Sequence, residues 1–425
     1  ARKIFAVIER WRCVIFSRAV RVPWRQARAR VVSDAPAIPL GLYLHFPWCV
    51  SKCPYCDFNS YTLREPLGER AYVDALLLDV ETQLELRGDF ISDRPITTVF
   101  MGGGTPSLFS PESIGRVLDR IKEIHPVLVD AEITLEANPA TVERGLFTGY
   151  AAAGINRISL GAQTFDREAL RRLGRIHVPE DVHRSASELH AAGIDNFNID
   201  LMYGLPEQSV EGAMRDLDEA MALQPAQVSH YHLTLEAGTP FAAQPPANLP
   251  SDETVEITLQ AALERLERRG YHQYEVSAHA QRGRECAHNL LYWRFGDYIG
   301  AGAGAHGKLS RINPDTGELE ILRSHQTREP RRYQRDPRGA ITWAAVPLEQ
   351  RPFEYMLNAL RLVEGFDKVG FESTTGLRYV AIEPVVAKLQ GRGLLEAAGV
   401  GRWRTSVVGR RFLNDILVEF LPPKP

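Results

Sequence analysis

Six times in succession a short apolar run is followed by a longer amphipathic stretch, and nothing else in this sequence restricts its fold so tightly. The runs are 42–46, 97–101, 132–136, 156–160, 196–200 and 227–235; the stretches after them are 69–87, 111–124, 141–153, 179–192, 209–223 and 252–269. Those stretches repeat apolar residues three and four apart, as in Tyr72, Val73, Leu76, Leu77, Val80 and Leu84, which is helix spacing. Ser110 before Pro111 supplies an N-cap and a first-turn proline for the second helix. Strand-then-helix units in series predict an α/β chain with a parallel sheet and its helices outside. Right-handed crossovers curl that series into a full or partial barrel.

Polar or glycine residues follow the apolar runs: Gly102, Gly103, Gly104 and Thr105, then Glu136, Gln163 and Asp200. In a parallel barrel the strand ends meet on the C-terminal rim, where active sites form. An unpaired buried carboxylate costs several kcal/mol. Two on one rim, Glu136 and Asp200, therefore point to a ligand carrying donors or positive charge. Taken singly, each reads equally well as the cap of a neighbouring helix.

Composition narrows the class without fixing it. With 425 residues, 44% hydrophobic and 24% charged, the chain is neither disordered nor a coiled coil. No apolar run approaches the ~20 residues that a membrane span needs. Residues 1–33 hold Arg2, Lys3, Arg10, Arg12, Arg18, Arg21, Arg25, Arg28 and Arg30 against Glu9 alone, yet the whole chain carries a net charge of −3. The body is therefore acidic, the wrong sign for nucleic acid. The basic segment, within an extension taken as 1–39, reads as a transit segment, a surface arm or an unstructured lead. A cytoplasmic location is expected, or a mitochondrial one if that segment is a transit peptide. The barrel is expected over 40–310. Glycine-rich "YIGAGAGAHG" (298–307) ends it, 311–350 reads as linker and loop, and 351–425 as a small α+β domain, possibly of winged-helix type.

Three of five cysteines fall in "CVSKCPYC": Cys49, Cys53 and Cys56. In a chain of this size such clustering signals metal or redox chemistry. Three thiolates on one loop suit three corners of an iron–sulfur cubane with the fourth iron open. Structural zinc and a closed four-cysteine cluster both need a fourth ligand, for which His45, Asp57 and Cys286 are the candidates. The loop follows the first strand, so it lands on the same rim as Glu136, Gln163 and Asp200. "MGGGTP" (101–106) allows close approach of a ligand and exposes N–H donors, but is neither G-x-G-x-x-G nor a P-loop.

"YLHFPWCVSKCPYCDF", "GGGTPS", "LEANP", "RISLGAQTF", "LGRIH" and "NIDLMYGLP", in this order, resemble the radical SAM superfamily. More narrowly they are similar to the anaerobic coproporphyrinogen dehydrogenase (HemN-like) group and its heme-chaperone (HemW-like) branch. The resemblance implies a partial (β/α)6 barrel, a [4Fe–4S] cluster on Cys49, Cys53 and Cys56, and S-adenosylmethionine on the open iron. It further implies that Tyr43 and the backbone of Tyr55 touch the cofactor. Gly103, Gly104 and Thr105 would hold its methionyl amine and carboxylate, and Glu136, Gln163, Arg175 and Asp200 the rest. Arg175 can meet a carboxylate bidentately; read alone, it is a surface arginine of "LRRLGR".

The dehydrogenase branch carries a fourth cysteine two positions after the third. Phe58 stands there, which argues against porphyrinogen decarboxylation. The chaperone branch carries H-N-x-x-Y-W, present as "HNLLYW" (288–293), so the resemblance implies heme contact by His288, Asn289, Tyr292 and Trp293. Without the resemblance this is a helix whose Tyr292 and Trp293 pack into core while His288 hydrogen-bonds locally. Cys286 and His306 are further candidate iron ligands. The expected function is a heme chaperone with respiratory apoproteins as recipients; the alternatives are oxidative decarboxylation of coproporphyrinogen III, which would place the chain in porphyrin biosynthesis, and a zinc-stabilised barrel.

Overall fold

The computed structural model describes residues 38–141 and 145–422. The basic N-terminal segment lies outside the described residues. Six parallel strands lie side by side in chain order: β1 (Leu40–Phe46), β2 (Ile96–Gly103), β3 (Val127–Ala137), β4 (Arg157–Gln163), β5 (Phe197–Tyr203) and β6 (Gln227–His232). Helices α1 (Glu69–Leu86), α2 (Pro111–Ile124), α3 (Leu146–Ala152), α4 (Pro179–Ala191), α5 (Val210–Ala222) and α6 (Asp252–Arg268) follow them. The third helix is shorter than its periodicity suggests.

Alternation along the strands divides two chemistries. Leu40, Leu42, Leu44, Val99, Met101, Leu135, Ile158, Leu160, Ile199, Leu201 and Val228 are fully buried and join the core shared with the helices. Each such side chain stabilises the fold by about 1.5–3 kcal/mol, so the outer face drives assembly. The residues between them (Tyr43, Thr98, Glu132, Glu136, Arg157, Ser159, Asn198, Asp200, Gln227, Ser229) take the inner face by period two. At α2, Ser110 Oγ accepts the Ser113 N–H at 3.3 Å and Pro111 opens the first turn. A cap of this kind contributes about 1 kcal/mol.

The sheet continues past both ends of the parallel set. Beyond β6 come β8 (Ala278–Ala280) and β7 (His272–Glu275), antiparallel. Beside β1 lies β9 (Asp297–Ala301), parallel, then β10 (His306–Ile312), β11 (Leu319–Gln326) and β12 (Ile341–Ala345), antiparallel. Residues 311–350 are thus no linker: they carry strands of the main sheet. Buried polar residues hid them, since Ser324 and Gln326 occupy positions where a core strand usually shows aliphatic side chains.

Helix α7 (Ala287–Trp293) carries the chain from β8 to β9. The C-terminal unit runs α8 (Arg351–Ala359), β13 (Phe366–Asp367), α9 (Lys368–Thr375), α10 (Glu383–Gly391), β14 (Leu395–Gly399) and β15 (Arg402–Thr405), with its sheet ordered β13-β15-β14. Helix, short strand, two helices and hairpin is the winged-helix order. Its core includes Tyr355, Phe371, Val386 and Leu389 and takes in Trp293 and Phe295 from the barrel side. No helix among the described residues is long and apolar enough to cross a membrane.

Candidate functional site

The cysteine loop leaves β1 at the C-terminal rim and is folded by its own backbone. Trp48–Cys49 pairs with Tyr61–Thr62, and the Cys56 N–H donates to Cys53 O at 3.1 Å. Lys52 Nζ donates to Phe58 O at 3.0 Å and Ser60 O at 2.9 Å, drawing the loop closed. Neighbouring segments clamp it. Gly174, at φ 68, leaves room for Pro54, whose Cδ would stand 2.9 Å from a Cβ there. Asn59 Nδ2 donates to Ala303 O at 2.9 Å. Burial pushes the Cys49 and Cys56 thiols up, while hydrogen bonds from Thr105 to Cys49 and from the Phe58 backbone to Cys56 pull the other way. Such groups ionise when a metal compensates the lost hydration. All three thiols are half-buried and in no disulfide.

The glycines after β2 do a different task from the one expected. The Gly104 N–H donates to Phe46 O at 2.6 Å, the Thr105 N–H to Trp48 O at 2.7 Å, and the Gly103 N–H to Glu136 Oε2 at 3.0 Å. A Cβ at Gly104 would lie 2.4 Å from Trp48 O, and one at Gly103 2.5 Å from Phe46 O. The glycines therefore let β2 run against the backbone that enters the cysteine loop. Their amides are engaged within the chain and are not exposed donors.

Glu136 and Asp200 share the inner face, although neither ends its strand. Asp200 is the fourth residue of β5, and Glu136 sits one short of the end of β3. Asn198 Nδ2 donates to Asp200 Oδ1 at 2.8 Å and Ser159 Oγ to Oδ2 at 3.2 Å. Burial nevertheless raises Asp200 to about 6; the hydrogen bond from Asn198 lowers it, and the charge of Glu136 adds to the rise. Gln163 holds φ at 71, a strain of about 1–3 kcal/mol for a non-glycine residue. It accepts a hydrogen bond from the Tyr231 hydroxyl. Arg175 NH2 donates to Gly161 O at 2.6 Å and NH1 reaches Cys53 Sγ at 3.7 Å, while its buried Nε has no hydrogen-bond partner. Tyr55 sits beside this guanidinium, and burial raises its phenol well above the ordinary value. Tyr43 Oη lies 2.9 Å from His45 Nδ1, whose Nε2 is 2.9 Å from Asn59 O in the cysteine loop.

These residues fit the group the cysteines imply. The donor set is three thiols on one loop. Beside it stand an orphaned guanidinium nitrogen and a carboxyl, Asp200, that burial raises to about 6, so a ligand with an anionic group and cationic or hydroxyl donors would relieve both. Among the described residues no three His, Cys, Asp or Glu side chains converge on a point suited to a single metal ion.

The HNLLYW segment lies elsewhere. Helix α7 covers the N-terminal end of the barrel, opposite the rim. Glu132, midway along β3 and paired with Thr98 in the first half of β2, accepts the Ala287 and His288 N–H groups at 3.0 and 3.1 Å and the Cys286 thiol at 3.3 Å. Arg157 donates to Asn196 Oδ1 at 2.7 Å and Gln227 Oε1 at 2.8 Å, with Nε 3.9 Å from Glu132. His288 is 1% exposed, its Nδ1 2.8 Å from Thr98 Oγ1, its ring between Phe100 and Tyr292. Trp293 is buried under the Arg361 guanidinium, 4.5 Å from the ring centroid. Asn289 Nδ2 reaches Tyr274 Oη at 3.4 Å. In this structure the segment is barrel closure, and burial raises Cys286 to about 12.

Several residues escaped the motif search: Ser159, Asn198, Ser229 and Tyr231 around the carboxylates, and Glu132 and Arg157 at the closed end. The signal was present as polar residues at alternate positions inside apolar runs, in "NRISL" and "NFNID".

Comparison with known proteins agrees with this geometry. A model of the radical SAM superfamily matches residues 43–220, and one of the HemN C-terminal domain matches 346–412. Heme chaperone HemW of Escherichia coli is 43% identical over 383 residues, covering 90% of this chain and 98% of that protein. The Haemophilus influenzae protein of the same name is 44% identical over 386 residues, with the same coverage. Radical S-adenosyl methionine domain-containing protein 1, mitochondrial, of Bos taurus is 34% identical and covers 90% of this chain and 87% of that one. The solved structure of coproporphyrinogen III oxidase (HemN) from Escherichia coli superimposes with a TM-score of 0.73 over 91% of each chain at 24% identity, a likeness of fold.

Proposed function

Because this chain belongs to the radical SAM superfamily, and within it to the family of the HemW heme chaperones, we propose that it binds heme and delivers it to respiratory apoproteins. The observation that carries this reading is likeness over 98% of a protein with that name, spanning both the barrel and the C-terminal unit. Phe58 supports it, because the fourth cysteine of the dehydrogenase pattern is absent.

In this reading Cys49, Cys53 and Cys56 hold a [4Fe–4S] cluster, and the rim holds S-adenosylmethionine. The pair supplies one-electron chemistry when bound. The protein's part is binding and orientation. Arg175, already beside Cys53, meets the ligand's carboxylate through a charge-assisted hydrogen bond. Asp200 and Glu136 accept from its amine and ribose hydroxyls. Thr105 steadies Cys49, and the Tyr231–Gln163 pair fixes the wall between the two carboxylates.

The test is anaerobic incubation of cluster-loaded protein with heme and, separately, with coproporphyrinogen III, S-adenosylmethionine and a reductant. Stable heme retention without protoporphyrinogen is the expected result. Turnover of coproporphyrinogen III would overturn the proposal in favour of the dehydrogenase.

A further inference from the structure

The large sheet has two outer edges, and the chain treats them differently. At β7 its own backbone covers the edge: Glu275 bridges to Leu362, the Val363 N–H donates to Tyr274 O at 3.0 Å, and the Val276 N–H donates to Arg361 O at 3.1 Å. At β12 no strand among the described residues pairs with the outer side. Hydrogen-bond parity shows which groups face outward there. The Val346 N–H donates to Ile321 O at 2.9 Å and the Thr327 N–H to Ala340 O at 3.2 Å. Bonded pairs alternate along an antiparallel ladder, so the amides and carbonyls of Ala340, Thr342, Ala344 and Val346 face β11. Those of Ile341, Trp343 and Ala345 therefore face away from the sheet, and they have no hydrogen-bond partner among the described residues.

Sheet edges recruit other strands, and proteins ordinarily blunt them with a charge, a proline, a bulge or a cover. From Gly339 to Val346 the sequence is GAITWAAV, without a charge or a proline, and its register with β11 carries no bulge. Thr342, Ala344 and Ala345 are exposed. The strand is nevertheless seated on the barrel: the Arg87 guanidinium, at the end of α1, lies 4.7 Å from the Trp343 ring centroid.

Charge gathers at one end of this edge. The segment leading into β12 holds Arg328, Arg331, Arg332, Arg335 and Arg338 against Glu329 and Asp336, in a chain whose net charge is −3. Both acids bind backbone: Glu329 accepts the Arg331 and Arg332 N–H groups at 3.0 and 2.7 Å, and Asp336 the Gly339 N–H at 2.9 Å. Arg331 pairs with Glu65, whereas Arg332, Arg335 and Arg338 are exposed and in no ion pair among the described residues.

We propose that β12 is a docking edge for a partner protein, which adds an extended, uncharged segment with acidic residues at its C-terminal end as an antiparallel strand. Pairing in that sense sets the partner's acids beside Arg335 and Arg338 and gives the outward amides and carbonyls of Ile341, Trp343 and Ala345 their complements. A partner side chain on the indole face of Trp343 is apolar by the same logic. Other occupants fit less well. Residues 1–33 of this chain are basic, and a second copy would offer the arginines only Glu349. The inference goes beyond the heme reading and does not depend on it.

The experiment uses the full-length, cluster-loaded protein and two labelled synthetic peptides, TVTVTVEEDE and TVTVTVKKGK, read by fluorescence anisotropy and residue-resolved amide exchange. The acidic peptide is expected to bind more tightly and to slow exchange at Ile341, Trp343 and Ala345, while Thr342 and Ala344 are protected with or without it. Ala345→Pro removes an outward N–H and spares the ladder to β11. It should weaken the acidic peptide about tenfold and leave iron content at wild type; Ile341→Pro asks the same at the other end should that variant fail to fold. Arg335→Glu with Arg338→Glu should reverse the preference between the peptides. Equal affinity for both peptides, unchanged exchange at the three outward amides, or full binding by a folded proline variant overturns the proposal. Self-association that Ala345→Pro abolishes also overturns it, giving the edge to a second copy.

Discussion

The two ends of the barrel are built from the same strands and solve opposite problems. At the closed end, Glu132 accepts from two backbone amides and a thiol, Arg157 is bound by Asn196 and Gln227, and His288 is walled by rings. At the rim, four residues further along β3, Gln163 is strained, Arg175 Nε has no hydrogen-bond partner and Asp200 is pushed up to about 6; below, Arg157 Nε also makes no hydrogen bond but faces the Glu132 carboxylate at 3.9 Å. Buried polar groups are ordinarily satisfied, and exceptions gather where a ligand completes them. The difference teaches that polarity inside a barrel is no mark of a site by itself. A carboxyl that burial and a second carboxylate push up, as Asp200 is beside Glu136, is the stronger mark.

The largest expected contrast lies in the cysteines. Cys49→Ala, Cys53→Ala or Cys56→Ala should each abolish bound iron and sulfide and the brown absorbance of anaerobically reconstituted protein. Cys286→Ala, at the closed end, should keep both. Cluster loss in the Cys286 variant would break the comparison, because the closed end would then supply a ligand.

Glycines give the next contrast. Gly104→Ala drives a methyl into the Trp48 backbone, whereas Gly41→Ala meets only the ends of the Thr98 and Leu291 side chains, at 2.9 and 3.1 Å. Denaturant unfolding should show a loss of about 3 kcal/mol for Gly104→Ala and about 1 kcal/mol for Gly41→Ala. Equal losses would mean that the rim backbone is as adaptable as the closed end.

The smallest contrast is in pH. A carboxyl raised in the folded state binds more protons there than in the unfolded chain, so its ionisation costs stability as pH rises from about 4 through about 6. Asp200→Asn should therefore stabilise the ligand-free protein at pH 7.5, on the order of 1 kcal/mol for a half-exposed group, with the gain vanishing below pH 4. A gain that persists at pH 3.5 would assign it to packing.

Much of this was legible in the sequence. Helix periodicity and the Ser110–Pro111 pair located the α/β units, and the C-x3-C-x2-C spacing located the cysteine loop. What stayed hidden has one physical cause: tertiary partners. Strands β11 and β12 read as linker because residues such as Arg323 look like surface residues until a partner, here Glu354, pairs with them. The glycines after β2 read as ligand donors because the Phe46 and Trp48 carbonyls that occupy them are over fifty positions away in the chain. For His288 the sequence left open a heme contact or a local hydrogen bond, because nothing local announces that its partner is Thr98 on β2.

Glu132 and Glu136 offer the sharpest test, being two glutamates on one strand, facing the same interior, one turned to closure and one to a ligand. The measurement is S-adenosylmethionine affinity of cluster-loaded Glu132→Gln and Glu136→Gln, with thermal unfolding of each. Glu136→Gln should weaken binding by about 1.5–3 kcal/mol, the range for a hydrogen bond to a charged group, and leave unfolding near wild type. Glu132→Gln should lower stability by about 1–3 kcal/mol and leave affinity unchanged. Equal affinity loss in both variants, or loss in Glu132→Gln alone, would contradict the division of the barrel into a binding end and a closed one.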